Sequence, residues 1–154
     1  MIQKAVEMGV GILQPIITDH TQLININIER IHSSIIEAAE QCGILSIPEC
    51  RNTLSLNELL RTWEPTRHMI FCDESSNNNN TLRILNKLKK SPLGVMIGPE
   101  GGFSDDERKK IQKCPFVTTI SLGPRILRAD TAAVSAFTAI NMTLGDCLQN
   151  EKDS

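Results

Sequence analysis

The chain has no tyrosine, and aromatic residues fill only 3% of its 154 positions. A core of stacked rings is therefore excluded, and burial has to rest on Ile, Leu, Val and Ala within a 40% hydrophobic total. Basic excess is missing too. Sixteen Lys and Arg stand against 18 Asp and Glu, giving a net charge of -2 and a sequence pI of about 5.9. That is not the signature of an autonomous nucleic-acid binder, so charge to neutralise RNA phosphates has to be local or come from elsewhere. No apolar run approaches the roughly 20 residues of a membrane span. Residues 1–7 lack the apolar stretch of a secretory signal. The five cysteines, at 42, 50, 72, 114 and 147, are odd in number, scattered, and form no C-x-x-C. Reduced, mostly buried thiols in a cytoplasmic protein are expected. His20, His32 and His68 do not join them at ligand spacing, so no metal site is expected.

What is present reads as strands alternating with helices. Residues 1–8 suggest a short helix closed by Gly9. Residues 11–17 form a strand that Pro15 interrupts or bends. Ile28, Ile31, Ile35, Ala38 and Cys42 recur at helical spacing, which predicts a helix over 27–42 ended by Gly43. An apolar run over 44–47, closed by Pro48, suggests a strand end. Ser55 and Glu58 form a capping-box pattern opening a helix over 56–63. Residues 68–73 read as a strand ending in the acidic pair Asp73-Glu74, and Asn77 to Asn80 as a surface loop. A helix is expected over 81–90, with Leu82, Leu85 and Leu88 on one face and Lys87, Lys89 and Lys90 near its end. Strands follow at 93–97 and 116–121, with a capped helix over 104–113 between them. An Ala-rich helix runs from 130 to about 148, carrying a stripe of Ala132, Ala136, Ala139 and Thr143. This order implies one α/β domain over 1–150 with a mainly parallel sheet, and a frayed tail over 151–154.

Two loops carry the chemistry. The first is Gly98-Pro99-Glu100-Gly101-Gly102-Phe103-Ser104, placed between a strand and a helix start. Such a junction builds small-molecule sites in α/β folds. It is not a P-loop, since no G-K-[ST] follows, and it lacks the G-x-G-x-x-G spacing of dinucleotide sites. Glu100, Asp105, Asp106 and Glu107 would repel a phosphate at that helix start, which favours a neutral or cationic ligand held through backbone groups. The second loop is Leu122-Gly123-Pro124-Arg125-Ile126-Leu127-Arg128. It offers apolar walls beside two arginines. Arg128 either pairs internally with Asp130 or faces a substrate.

With Lys4-Ala5-Val6-Glu7-Met8-Gly9-Val10 and Glu37-Ala38-Ala39-Glu40-Gln41-Cys42, these loops strongly resemble the RsmE-type 16S ribosomal RNA uracil-N3 methyltransferases. The resemblance runs over nearly the whole chain. It implies a SPOUT-type fold, a mainly parallel sheet flanked by helices with a C-terminal trefoil knot. It also implies a homodimer using S-adenosylmethionine to methylate a uridine of 16S rRNA in the 30S subunit, in the cytoplasm. By that resemblance, Gly98, Pro99, Glu100, Gly101 and Gly102 line one side of the cofactor. Leu122, Gly123, Ile126, Leu127 and Arg128 line the other. Arg128 is the candidate for stabilising charge on the uracil, and Glu100 for assisting proton removal. Members of the family also carry an N-terminal PUA-like RNA-binding domain and a first strand ahead of the Lys4 segment, which this chain is expected to lack. Asp130, Ile44 and His20 stand where the family more often has Glu, Arg and Arg. The alternative is an inactive remnant that binds S-adenosylmethionine or a partner without turnover.

Overall fold

A computed structural model describes residues 1–22, 26–76 and 80–145. The sheet that positions the site has three strands: β5 (His68–Cys72), β6 (Leu93–Ile97) and β7 (Val117–Ile120). They run parallel in the order β6-β5-β7, with His68 opposite Leu93 and Met69 opposite Val117. All three carboxyl ends therefore share one rim, and the loops leaving them are neighbours.

Alternation along β5 divides the core. Met69 and Phe71 point to one face and pack with Leu56, Leu59, Met96, Phe103 and Ile111. Ile70 points to the other, with Leu85, Ile120 and Ile140. The first face is covered by α3 (Leu56–Thr62) and α5 (Asp105–Gln112), the second by α4 (Thr81–Leu85) and α6 (Ala129–Thr143). Each large apolar side chain so buried contributes roughly 1.5–3 kcal/mol. Phe71 and Phe103 meet edge to face at 5.1 Å between centroids, which anchors the first loop to the central strand.

The N-terminal part forms a second, smaller core. Helix α1 (Ile2–Glu7) packs on α2 (Ile28–Gln41) through Val6, Ile35, Ala38 and Ala39. Asn27 caps α2 by accepting from the Arg30 amide, as its residue type favours. The strand expected over 11–17 is split at Pro15 into β1 (Ile12–Leu13) and β2 (Ile16–Ile17). Proline has no amide to donate, but its carbonyl still accepts from Leu54. The two halves pair in parallel with different partners, β1 with β3 (Glu49–Cys50) and β2 with β4 (Leu54–Ser55).

Three expectations are corrected. Residues 44–47 are not a strand: Leu45 and Ile47 stand exposed, and the strand follows Pro48 instead. Helix α4 stops at Leu85, because the next amides bond three residues back, Lys87 to Ile84 and Leu88 to Leu85, in turns rather than a continued helix. Leu82 is consequently exposed. Cys42 is exposed and Cys50, Cys72 and Cys114 are partly so; Cys50 and Cys72 pack at the edges of core clusters, and the Cys72 thiol itself is turned inward. The predicted end of α6 and Asn77 to Asn79 lie outside the described residues.

Candidate functional site

Three loops from the common rim enclose a cleft of about 540 Å³, counting the part open to solvent. The first loop turns where Gly102 N–H donates to the Pro99 carbonyl at 2.8 Å. Gly102 has φ +67, and a side chain there would collide with Glu74. A Cβ on Gly98 would fall 2.8 Å from the Phe103 ring, so glycine is what lets that ring tuck beneath the loop. Ser104 then caps α5 in a complete capping box with Glu107.

The second loop begins at buried Ser121, whose hydroxyl accepts from the Gly123 amide at 3.3 Å. Gly123 sits at φ +113. From the side, Thr81 donates its hydroxyl to the Ser121 carbonyl.

The third loop is the acidic pair after β5. Asp73 is 4% exposed, and its amide donates to the Ile120 carbonyl. Its carboxylate takes Arg108 Nε at 3.2 Å, Gln112 Nε2 at 3.3 Å and the Ser75 amide at 3.0 Å. Arg108 also reaches Glu74 at 3.3 Å and Asp105 at 3.6 Å. Three carboxylates therefore surround one guanidinium; Asp73 and Glu74 line the cleft and Asp105 does not, and Arg108 and Arg125 in the same lining balance their charge. Beside them lies Cys72. Burial pushes its thiol up to about 12, so it is neutral and not nucleophilic at ordinary pH.

Of the residues singled out from sequence, Gly98, Pro99, Gly102, Leu122, Gly123 and Leu127 meet as walls of the cleft. Glu100, Gly101, Ile126 and Arg128 stand outside those walls. Glu100 and Gly101 form the exposed outer crest of the first loop, and Ile126 projects into solvent at 82% exposure. Arg128 is the residue before α6, and its carbonyl accepts from Ala132. The proposed pair with Asp130 does not form: that carboxylate accepts instead from the Thr131 amide, which holds it below the usual carboxylate range. Arg125, by contrast, lines the cleft. Sequence reasoning missed Arg108, Gln112 and Cys72. The available signal was Arg108 and Gln112 at helical spacing on the capped helix that leaves the glycine loop.

A family model for an RNA methyltransferase domain matches residues 1–141. Among curated proteins, the chain is 36% identical over 152 residues to ribosomal RNA small subunit methyltransferase E of Buchnera aphidicola, covering 94% of this chain and 60% of that one. It is 33% identical over 147 residues to the protein of the same name from Rickettsia conorii, covering 95% and 59%. The chain thus spans about 60% of the length of the curated relatives it matches. Among solved structures, ribosomal RNA small subunit methyltransferase E of Neisseria gonorrhoeae, bound to S-adenosylmethionine, superposes with a TM-score of 0.79 at 27% identity, covering 92% of this chain and 58% of that one. A Legionella pneumophila protein solved with the same cofactor gives a TM-score of 0.77 at 33% identity, covering 94% and 60%. With its paired glycine loops and parallel three-stranded rim, this chain belongs to the RNA methyltransferase domain family.

Proposed function

We propose that the chain transfers a methyl group from S-adenosylmethionine to N3 of a uridine in 16S rRNA of the small ribosomal subunit, as a homodimer in the cytoplasm. The observation that carries this reading is the cleft itself: glycine-built walls from two adjacent loops, with the Asp73 and Glu74 carboxylates and the Arg108 and Arg125 guanidinium groups in its lining. S-adenosylmethionine carries a sulfonium cation and no phosphate, and the residues present fit it. Leu122 and Leu127 offer apolar surface for the adenine, and backbone at Gly98, Gly102 and Gly123 approaches without side chains. Asp73 and Glu74 favour the cation. When bound, the cofactor supplies an electrophilic methyl group. The reading includes a trefoil knot in the C-terminal segment, as the family resemblance implies.

The remaining chemistry belongs to the chain. N3 of uridine carries a proton that has to leave, and negative charge then spreads over the flanking carbonyl oxygens. Arg125 at the cleft wall and Arg128 just beyond it form no ion pair among the described residues. Both are available to stabilise that charge, Arg128 being the primary candidate. Glu100, exposed on the loop crest, is the acceptor for the proton.

Tritiated S-adenosylmethionine and 30S subunits lacking the modification test the assignment. The expected result is label in 16S rRNA, with Arg128→Ala lowering kcat about 100-fold and leaving the cofactor Kd unchanged. Cofactor binding without label in rRNA would sink the enzyme reading in favour of a binding remnant. Light scattering of the purified chain tests the dimer.

A further inference from the structure

The loop that follows β2 does not enter the cleft, yet it is bonded to the first glycine loop at two points and to α5, the helix leaving that loop, at a third. Asp19 N–H donates to Glu107 Oε1 at 2.9 Å. Ser104 Oγ donates to Asp19 Oδ2 at 2.6 Å. His20 Nδ1 lies 2.8 Å from the Gly101 carbonyl, and since a carbonyl can only accept, Nδ1 carries the proton. The fit is close: a Cβ on Gly101 would lie 3.0 Å from His20 Cβ. Glu107 serves both partners. Its Oε2 takes the Ser104 amide of the capping box while Oε1 takes Asp19, and the side chain is 4% exposed.

We propose that Asp19 and His20 are positioning residues for the cofactor loop. They strap its outer face, at Gly101 and Ser104, so that its inner face, at Gly98, Pro99 and Gly102, keeps the shape of a cleft wall. The bearing on S-adenosylmethionine rests on the function proposed above; the strap itself does not.

Two further features support the assignment. Thr18 and Asp19 border a groove of about 470 Å³, counting the part open to solvent, shared with Ser55, Asn57, Glu107 and Lys110, and Asp19 and His20 themselves are exposed. Its hydrogen bonds carry the contact. The cofactor loop, in turn, has only the Gly102–Pro99 bond within its own turn, and its flanking glycines leave the backbone free to adopt other shapes. Donation from Nδ1 survives protonation of the ring, because the imidazolium also carries a proton there. The carboxylates beside His20 are Asp19, its neighbour in the strap, and Glu107 on α5, and His20 bonds the loop in either protonation state.

The experiment is amide hydrogen exchange at Gly102 in the ligand-free protein, followed by the S-adenosylmethionine Kd. In His20→Ala and in Asp19→Ala, exchange at Gly102 is expected to speed up about fivefold, the loss of one ordinary hydrogen bond. The Kd should rise by a similar factor, with the melting temperature almost unmoved. His20→Asn, whose amide can donate from nearly the same place as Nδ1, should restore both. Unchanged exchange at Gly102 in both alanine variants would overturn the proposal. So would failure of His20→Asn to restore it, which would assign the effect to lost packing. A wild-type chain that binds no S-adenosylmethionine, yet shows the exchange effect and its rescue, would remove the proposed function and leave the strap standing.

Discussion

Arg108 is 19% exposed and touches Asp73, Glu74 and Asp105, of which Asp73 is buried. Truncating it strands a buried carboxylate with only Gln112 and the Ser75 amide as partners. Arg108→Ala is therefore expected to cost about 3–5 kcal/mol of stability in urea unfolding. The Cys72 thiol supplies a pH test. Burial lifts its folded pKa from 9.0 to about 12, so the folded state holds the proton more tightly. Its contribution is complete below pH 9 and is lost as pH rises toward 12. The melting-temperature advantage over Cys72→Ala should shrink across that window. At this scale Gly98, Gly102 and Gly123 were legible, because a turn or a close approach demands glycine there whatever surrounds it, whereas Gly101 lies on the crest outside the walls. Ile126 and Arg128 were less so: the direction of a loop side chain is set by neighbours distant in sequence, and both lie outside the cleft walls. The role of His20 had no local signal, since its partner Gly101 is 81 residues away.

At the scale of elements, the fit between Trp63 and β6 is tight. A Cβ on Gly94 would fall within 2.8 Å of Trp63 Cζ2. That indole is pinned by its own N–H, which donates to the Arg67 carbonyl at 2.7 Å, and it stacks on Phe116. Gly94→Ala is expected to destabilise by about 1–3 kcal/mol through overpacking, with a changed Trp63 emission maximum as the local readout. Periodicity and caps located α2, α3, α5 and the three parallel strands, because each follows from nearest neighbours and one buried face. Of the small-residue stripe expected on α6, Ala132 and Ala136 are buried against the fold and Ala139 and Thr143 only partly; Ala133, outside that stripe, is buried as well. What local signals could not give was the pairing of β1 with β3 and β2 with β4, or the early stop of α4. Those depend on what each segment meets after the chain has returned to it.

For the whole molecule, α1 packs on both α2 and α6, so the first and last described helices touch. Helix α6 also covers β6 and α4, and its Ile140 belongs to the cluster that buries Ile70 of the central strand. Removal of residues from 129 onward should therefore abolish cooperative unfolding, followed by the fluorescence of the single tryptophan in urea. An α/β class with a parallel sheet was legible because alternating strands and helices leave few other solutions. The closing of α6 onto α1 was not, since nothing within either helix names the other. That contact sets an order in time. A chain made from its N-terminus forms α1 and β5 early, but both wait for a partner that is synthesised more than a hundred residues after α1. Until α6 arrives, the Ile70 face of β5 lacks part of its cover and the second wall of the cleft has no helix to end in. The nascent protein therefore passes through a stage in which its sheet can be captured by chaperones or by other chains, and it gains its binding site only as that stage closes.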